Sequence, residues 1–537
     1  MPVKYNKHFS TRKTPQHQPI PGSDQVANSA GGYAWAVTDW QRLSRFLILG
    51  NEGCSYYAKE QTLTVENAEA VRRCIVEDGC RVVREIVSIS DAGRAPKNDP
   101  ALFALAMCAG LGDDATRREA LQALPKVARI GTHLFHFAEY VEAFRGWGRG
   151  LRQGIGNWYN EMPLNALAFQ VIKYRQRDRW THRDLLRLAH PKTGDASRNA
   201  LYHWAVNGWE WVGEDPHPDE ALRTLWAYER VQRATTTAEI AGLVREHRLP
   251  MEAVPTDKRD RAVWEAVLSH AGLTFLIRNL GNLGKAGLLV KGARAEVAAV
   301  TSRLTDAKAL KKARVHPIQI LSALTTYRQG HGVRGNGEWP VVPEVIDALD
   351  QAFYHAFGAV APTGKRWVLG LDVSGSMGCG EIAGVPGLTP QVGAAAMAMV
   401  TYKVEQDVSL VAFCDKMTPI DISRRQRLDD VVQTTSGLSF GGTDCALPMV
   451  WARQNRISAD VFIVYTDSET WANPNLHPVQ ALREYREATG IPARLVVVGM
   501  VSNGFTIADP KDSGMLDVVG FDSAAPEVIG QFAQGAL

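Results

Sequence analysis

Two carboxylates and three hydroxyls in the last third of the sequence have the types and spacing to hold a cation. Asp372-Val373-Ser374-Gly375-Ser376 sets one acid and two hydroxyls at alternate positions, Thr443 follows the pair Gly441-Gly442, and Asp467 ends an apolar run. Oxygen donors of this kind are hard ligands that suit Mg²⁺, with Ca²⁺ and Mn²⁺ as alternatives. Hydroxyls outnumber carboxylates, so a cation on Asp372, Ser374, Ser376, Thr443 and Asp467 keeps net positive character and an open coordination position. The competing reading is metal-free, with Asp and Ser acting as helix caps. Catalysis finds less support. A phosphate-transferring aspartate usually needs a second Asp where Ser374 stands, and the one histidine of this region, His477, gives a serine nucleophile little choice of base. No Walker A pattern is present. The chain is therefore expected not to be an enzyme.

A second group carries charge. The run Lys173-Tyr174-Arg175-Gln176-Arg177-Asp178-Arg179-Trp180-Thr181-His182-Arg183 follows an amphipathic stretch, read as one helix from Met162 to Arg177. Its apolar side is Leu164, Leu167, Ala168 and Val171, which leaves Gln170, Lys173 and Arg177 on the opposite stripe. Lys173 and Arg177 are four apart, and like charges at that spacing destabilise an isolated helix by a few tenths of a kcal/mol, roughly. A bound phosphate reverses that repulsion. Arg183, Arg187, His190 and Lys192 continue the surface around a second helix, with His190 able to stack on a base. The alternative is a solvated face partly neutralised by Asp178 and Asp184. His133-Leu134-Phe135-His136 lacks the spacing of a helical zinc pair and reads as core.

These groups need two kinds of framework. From Trp40 to Phe357 the pattern is a succession of amphipathic helix-length segments, among them Val65 to Ser88, Thr132 to Trp147, Pro218 to Arg233 and Arg261 to Leu276. Thr236 with Glu239 and Thr181 with Asp184 read as capping boxes, and Gly131, Gly194 and Gly284 as stops. Fifteen or more helices without strands between them predict stacked antiparallel pairs, although no clean fixed-period repeat is present. The glycine-rich stretch Arg328 to Pro343 is a loop before a last helix at Glu344 to Phe357. Beyond it, apolar runs at Trp367–Leu371, Val408–Phe413, Val461–Tyr465 and Arg494–Val501 alternate with helical stretches at Val392–Val404, Cys445–Arg456 and Pro478–Ala488. That alternation predicts a doubly wound α/β domain on a parallel sheet, where ligands bind at the carboxyl ends of strands.

Composition agrees with two globular units. Of 537 residues 45% are apolar and 22% charged, too many residues for one core. From Pro362 onward there are 13 Lys and Arg against 19 Asp and Glu, whereas the preceding residues carry 47 against 38. A basic first part meeting a polyanion is one reading, and ordinary variation the other. Seven scattered cysteines (54, 74, 80, 108, 379, 414, 445) with no C-x-x-C argue against disulfides or a zinc ribbon. With no long apolar stretch and no signal-peptide pattern before Gln18, the expected location is the cytoplasm, away from membranes.

The set D-x-S-x-S, a later Thr and a strand-end Asp resembles the metal-ion-dependent adhesion site of von Willebrand factor type A domains. In that family an acidic group of a partner often fills the open position. The stretches Asn28-Ser29-Ala30-Gly31-Gly32-Tyr33, Gly131-Thr132-His133-Leu134-Phe135, Gly146-Trp147-Gly148-Arg149-Gly150, Lys173 through Lys192, Arg278-Asn279-Leu280 and His316-Pro317 resemble the TROVE module of the Ro autoantigen family. The combination implies a TROVE helical-repeat RNA-binding domain at 1–360 and a von Willebrand A domain at 361–537. The resemblance further implies a HEAT-like ring closed by the A domain, with small non-coding Y-like RNA on its outer basic surface. Single-stranded 3′ ends of misfolded RNA would enter its central hole, in cooperation with a 3′ exoribonuclease. On this pattern Lys173, Arg177 and His190 match RNA-contacting positions, joined by Arg175, Arg183 and Arg187. The chain is expected to act as a monomer. A different class of reading is a metal-dependent protein-interaction adaptor without RNA, which an absorbance ratio typical of pure protein at low salt would favour.

Overall fold

The computed structural model describes residues 13–50, 68–208, 219–332, 337–358, 360–382, 385, 388–420, 422–438 and 441–536. Cys54, the first residues of the helix expected at Val65 and part of the loop expected at Arg328 to Pro343 lie outside them. Helices dominate from Asp39 to His355. The first, Asp39–Leu49, starts at Thr38, whose side chain accepts from Gln41 N in a full capping box, and stops at Gly50 with φ +85°. It buries Leu43, Phe46 and Leu47 against Glu69–Ala92 and Asp99–Leu111. The Asp99–Leu111 helix is buried at every position from Pro100 to Ala109, as a central element must be.

Several elements differ from the sequence expectation for identifiable reasons. The helix predicted to reach Arg177 spans Leu164–Lys173 only. Arg177 instead sits in a two-residue strand, β3 (Gln176–Arg177), paired antiparallel with β4 (Trp180–Thr181) across a turn at Asp178 and Arg179. Both turn residues have positive φ, +50° and +67°, the backbone of a type I′ hairpin. Lys173 and Arg177 are therefore not neighbours on one helix. Gln170 also leaves the solvent stripe, because its side-chain carbonyl accepts Gly131 N–H at 2.9 Å. Gly131 is the first residue of the helix Gly131–Phe144 rather than a stop. The segment from Arg261 forms two helices, Arg261–Leu268 and Leu273–Arg278. Arg303 holds the break open by donating to the Leu268 and Ala271 carbonyls. Thr181 and Asp184 form the expected reciprocal cap, whereas at Thr236 only the threonine side chain bonds, accepting from Glu239 N.

The helical region is bonded to itself at its ends. Arg314 pairs with Asp91 at 2.7 Å, His316 Nε2 donates to Arg94 O at 3.0 Å, and Gln319 Nε2 donates to Pro96 O at 3.0 Å. The donor assignment at His316 follows from its Nδ1, which accepts Ile318 N–H. Burial pushes His316 down to about 4, and His133 and His182 to about 3. An unfolded imidazole binds a proton near pH ~6.5, so stability carried by these neutral rings is lost as pH falls from there toward 4. The rate is up to ~1.4 kcal/mol per pH unit for each ring. His316→Asn keeps an acceptor for Ile318 N–H and should flatten the acid limb of a plot of melting midpoint against pH. Coincident limbs for both proteins would contradict the assignment.

The C-terminal region folds around a six-stranded sheet: β5 (Arg366–Asp372), β6 (Asp407–Phe413), β7 (Met417–Pro419), β8 (Val461–Thr466), β9 (Arg494–Gly499) and β11 (Met515–Val519), in the order β11-β9-β8-β5-β6-β7. It is mixed rather than purely parallel, since β7 runs antiparallel beside β6. Alternate residues feed two cores. Leu369, Leu371, Ile463 and Tyr465 join the core shared with the helical region, while Val368, Phe462 and Val464 join the opposite one. Among the described residues no helix is long and apolar enough to cross a membrane.

A strip from the other end of the chain completes this module. β2 (Tyr33–Ala36) pairs with β1 (Val26–Ala27) on one side and with β10 (Phe505–Thr506) on the other. Gln16, fully buried, donates to Asp444 Oδ1 and to Leu476 O, and accepts from Thr470 Oγ1. The helical and A-type regions then meet through oppositely charged pairs. Arg45 with Asp517 and Arg94 with Asp522 tie the early helices, and Arg328 with Asp429 and Arg427 with Asp347 tie the late ones.

Candidate metal centre and nucleic-acid interface

Chain direction explains the position of the candidate cation site. From β5 the chain moves to β6 on one side and later returns to β8 on the other, which leaves a crevice at the carboxyl ends of β5 and β8. Asp372 is the last residue of β5, and Asp467 directly follows β8. Ser374 and Ser376 occupy the tight turn after β5, with their hydroxyls 3.1 Å apart. Thr443 is brought in by its carbonyl, which accepts Trp471 N–H and Ala472 N–H at 3.0 Å each. All five predicted ligands are at most 4% exposed.

One carboxylate oxygen of this cluster is left without a partner among the described residues. Asp372 receives Ser374 N–H at 2.9 Å and the Thr466 hydroxyl at 2.6 Å. Asp467 Oδ1 receives Glu469 N–H, but its buried Oδ2 has no hydrogen-bond partner. Burial, with the charge of Asp467 added, pushes Asp372 up to about 7, and burial raises Asp467 as well. Two dry carboxylates in one crevice resist ionising together, and a divalent cation removes that resistance. No cluster of three or more His, Cys, Asp or Glu side chains suited to a metal occurs among the described residues. The donor set here is instead two carboxylates and three hydroxyls, which fits a hard cation.

The basic surface is built on a braced hairpin. Asp178 turns inward to His136 and lies 3.6 Å from Arg177, so it serves the turn. Trp180 packs on Trp147 with ring centroids 5.3 Å apart and donates its indole N–H to Glu139. Asp184 is engaged by Thr181 in the cap of the helix His182–Ala189. His182 is buried against Phe135 and bonded to the Tyr159 hydroxyl at 2.8 Å, which seats that helix. Arg183, Arg187 and His190 then stand at i, i+4 and i+7, on one exposed side. Arg175 and Arg177 are also exposed, and Lys173 is half-buried beside the Phe169 and Tyr174 rings. Arg175 differs from the rest, because its guanidinium bonds to the Tyr228 hydroxyl. His190 has φ +46° and closes the helix, so its ring projects at the helix end before Pro191. Of the two acids expected to neutralise this face, Asp184 is held in the cap, whereas Asp178 is shared between His136 and Arg177 and offsets that one guanidinium.

Residues 366–533 match the Ro60 vWA domain family, and residues 26–213 and 250–326 match the TROVE domain family. The chain is 46% identical over 514 residues to the RNA-binding protein RO60 of Deinococcus radiodurans, covering 96% of each.

The chain belongs to the Ro60 family.

A Caenorhabditis elegans relative, also described as RNA-binding protein RO60, is 34% identical over 98% of this chain and 92% of its own. The crystal structure of the Deinococcus radiodurans Ro (RSR) protein has the same fold, with a TM-score of 0.70 over 93% of this chain and all of that one. Within this Ro60-type framework, five further residues around the candidate cation site have roles that the sequence did not announce. Thr466 bonds Asp372, and Asn503 donates to the Asp467 carbonyl. Asn28 donates to Thr470 O, and Ala30 N–H to Glu469, which burial and the Asp467 charge push up to about 7. A signal for the last pair was present in Gly31-Gly32. A Cβ on Gly32 would lie 1.9 Å from Thr470 O, so the strip can approach the Asp467 loop only as glycine.

Proposed function

We propose that this Ro60-family chain is an RNA-binding protein that is not itself an enzyme. It binds a small structured, Y-like RNA on the surface made by Lys173, Arg177, Arg183, Arg187 and His190. The carrying observation is that Arg177, Arg183, Arg187 and His190 are exposed on a braced hairpin and helix, with Lys173 half-buried beside them, while Asp184 is engaged in the helix cap and Asp178 is shared between His136 and Arg177. Backbone phosphates supply the affinity for such a surface, and unpaired bases supply selectivity. The seam that joins the helical region to itself, and the A domain bonded to both of its ends, support a ring that takes single-stranded 3′ ends of misfolded RNA. Such a ring would present those ends to a 3′ exoribonuclease. Titrating labelled structured RNA in rising salt tests the reading, which fails if binding is absent at low salt.

The second component is Mg²⁺ at Asp372, Ser374, Ser376, Thr443 and Asp467, supported by the orphaned Asp467 Oδ2. The open position suits an acidic group of a protein partner. Mg²⁺ should raise the melting midpoint of the whole chain, since a ligand that binds only the native state stabilises it by an amount that grows with the logarithm of ligand concentration over Kd. Asp372→Ala should abolish that rise. An equal rise in the variant would refute the assignment.

A further inference from the structure

His136 is buried, 9% exposed, and lies between two acids contributed by different elements. Its Nδ1 bonds Asp178 Oδ2 in the hairpin turn, and its Nε2 is 3.6 Å from Asp99 Oδ1 at the start of the helix Asp99–Leu111. The Tyr140 ring stacks on the imidazole with centroids 6.1 Å apart and 14° between planes, which holds the ring in place. Asp178 is also contacted from the other side. Its second oxygen, Oδ1, is 3.6 Å from Arg177 Nε, and Arg177 is one of the exposed cations of the basic surface. One carboxylate is thus divided between a buried imidazole and an exposed guanidinium.

The protons on the ring decide that division. A neutral imidazole has one N–H and one lone pair, whereas an imidazolium has two N–H donors. Between two carboxylates only the imidazolium satisfies both sides, because a neutral ring turns its lone pair toward either Asp99 or Asp178. Asp99, Asp178 and Arg177 are the charged groups that face the ring from the other two elements. On its own helix the titratable neighbours keep their protonation states. Burial pushes His133 down to about 3, Tyr140 is raised by burial and by the charges of Asp99 and Asp178, and Glu139 accepts the Trp180 indole N–H. Imidazole is the side chain that ordinarily changes charge between about pH 5 and 8. We propose that His136 is a positioning residue that sets how much of the Arg177 charge is available to RNA. Protonated, it draws Asp178 inward and leaves Arg177 to a phosphate. On losing a proton it releases the carboxylate to Arg177, and RNA binding weakens as pH rises. The inference rests on the RNA-binding reading of the hairpin.

Filter binding of a small structured RNA to the full chain at about pH 6 and about pH 8, at fixed ionic strength, tests this. His190 is a second imidazole on the same surface, so every protein in the comparison carries His190→Gln. In that background affinity should fall about threefold to tenfold from the lower pH to the higher, and the salt slope should drop by up to about one, the contribution of a single phosphate contact. His136→Phe keeps a ring against Tyr140 and takes no proton. It should bind equally at both pH values, as weakly as the background protein does at the higher one. Asp178→Asn leaves Arg177 without its carboxylate, and asparagine tolerates the positive φ of the turn. At about pH 8 it should bind as tightly as the background protein does at about pH 6, or more tightly. A gain in affinity does not arise from misfolding, so this variant separates the mechanism from damage to the fold. Three results would overturn the inference while leaving RNA binding by the hairpin in place: no pH dependence in the background protein, the same pH dependence in His136→Phe, or no gain in Asp178→Asn. Parent-like affinity after Lys173, Arg177, Arg183 and Arg187 are all changed to alanine would remove the surface itself, and this inference with it.

Discussion

Changing Lys173, Arg177, Arg183 and Arg187 together to alanine should lower affinity for a small structured RNA by about a hundredfold or more near physiological salt. It should also flatten the dependence of log K on log salt by about 3 to 4. The expectation rests on counterion release, in which each neutralised phosphate frees condensed cations and contributes slightly less than one unit of slope. Arg177, Arg183 and Arg187 are exposed and Lys173 is half-buried, so the fold should survive, since exposed substitutions of this kind usually change stability by less than ~0.5 kcal/mol. Arg175 is left in place because it bonds Tyr228 across the packing. Filter binding at several salt concentrations is the measurement. Parent-like affinity with a parent-like slope would reduce the hairpin to a solvated face.

The largest stability effect is expected at Arg45. Its side chain is 1% exposed, and Nη2 contacts both carboxylate oxygens of Asp517 at 2.7 and 2.8 Å. Nη1 donates to the carbonyls of Asn503 and Phe505 at 2.9 and 3.0 Å. Arg45→Met leaves Asp517, itself 8% exposed, as a buried charge without its cation. Removing one partner of such a pair costs about 3–5 kcal/mol. Adding Asp517→Leu should restore most of the loss, because the uncompensated carboxylate is what destabilises. Thermal unfolding of parent, single and double variants decides the matter, with the first transition as readout since two regions need not melt together. A single variant that melts with the parent would show that the contact between the first helix and the sheet edge adds little.

Much of this was readable in the residues, and the exceptions share a cause. The crevice that gathers the candidate ligands could be read because Asp372 and Asp467 sit at strand ends that short apolar runs announce, as Val461–Thr466 announces Asp467, whereas Thr443 lies in a loop ahead of a helix. The basic group could be found by composition, but its geometry could not. The apolar spacing from Leu164 to Val171 continues smoothly into the charged run, and nothing local tells a helix from a hairpin until Asp178 and Arg179 are seen with positive φ. Strands β7 and β11 are short or only half-buried, so neither carries the continuous apolar run that marked their neighbours. Gln16 and Asn28 lay out of reach for another reason. Their partners Asp444 and Thr470 are more than four hundred positions away, and no periodicity encodes such a distance.

That distance also imposes an order of assembly. Thr14 N–H reaches Gln480 across 466 positions, so on a ribosome the strip from Thr14 to Ala36 emerges long before the sheet that receives it. Meanwhile Tyr33–Ala36 has Val26–Ala27 on one side but its other edge, which later takes Phe505–Thr506, is open, the kind of segment that invites wrong partners. A late docking event therefore joins residues made early to residues made hundreds of positions afterwards, and nascent chains halted before Phe505 should keep that strip open to protease.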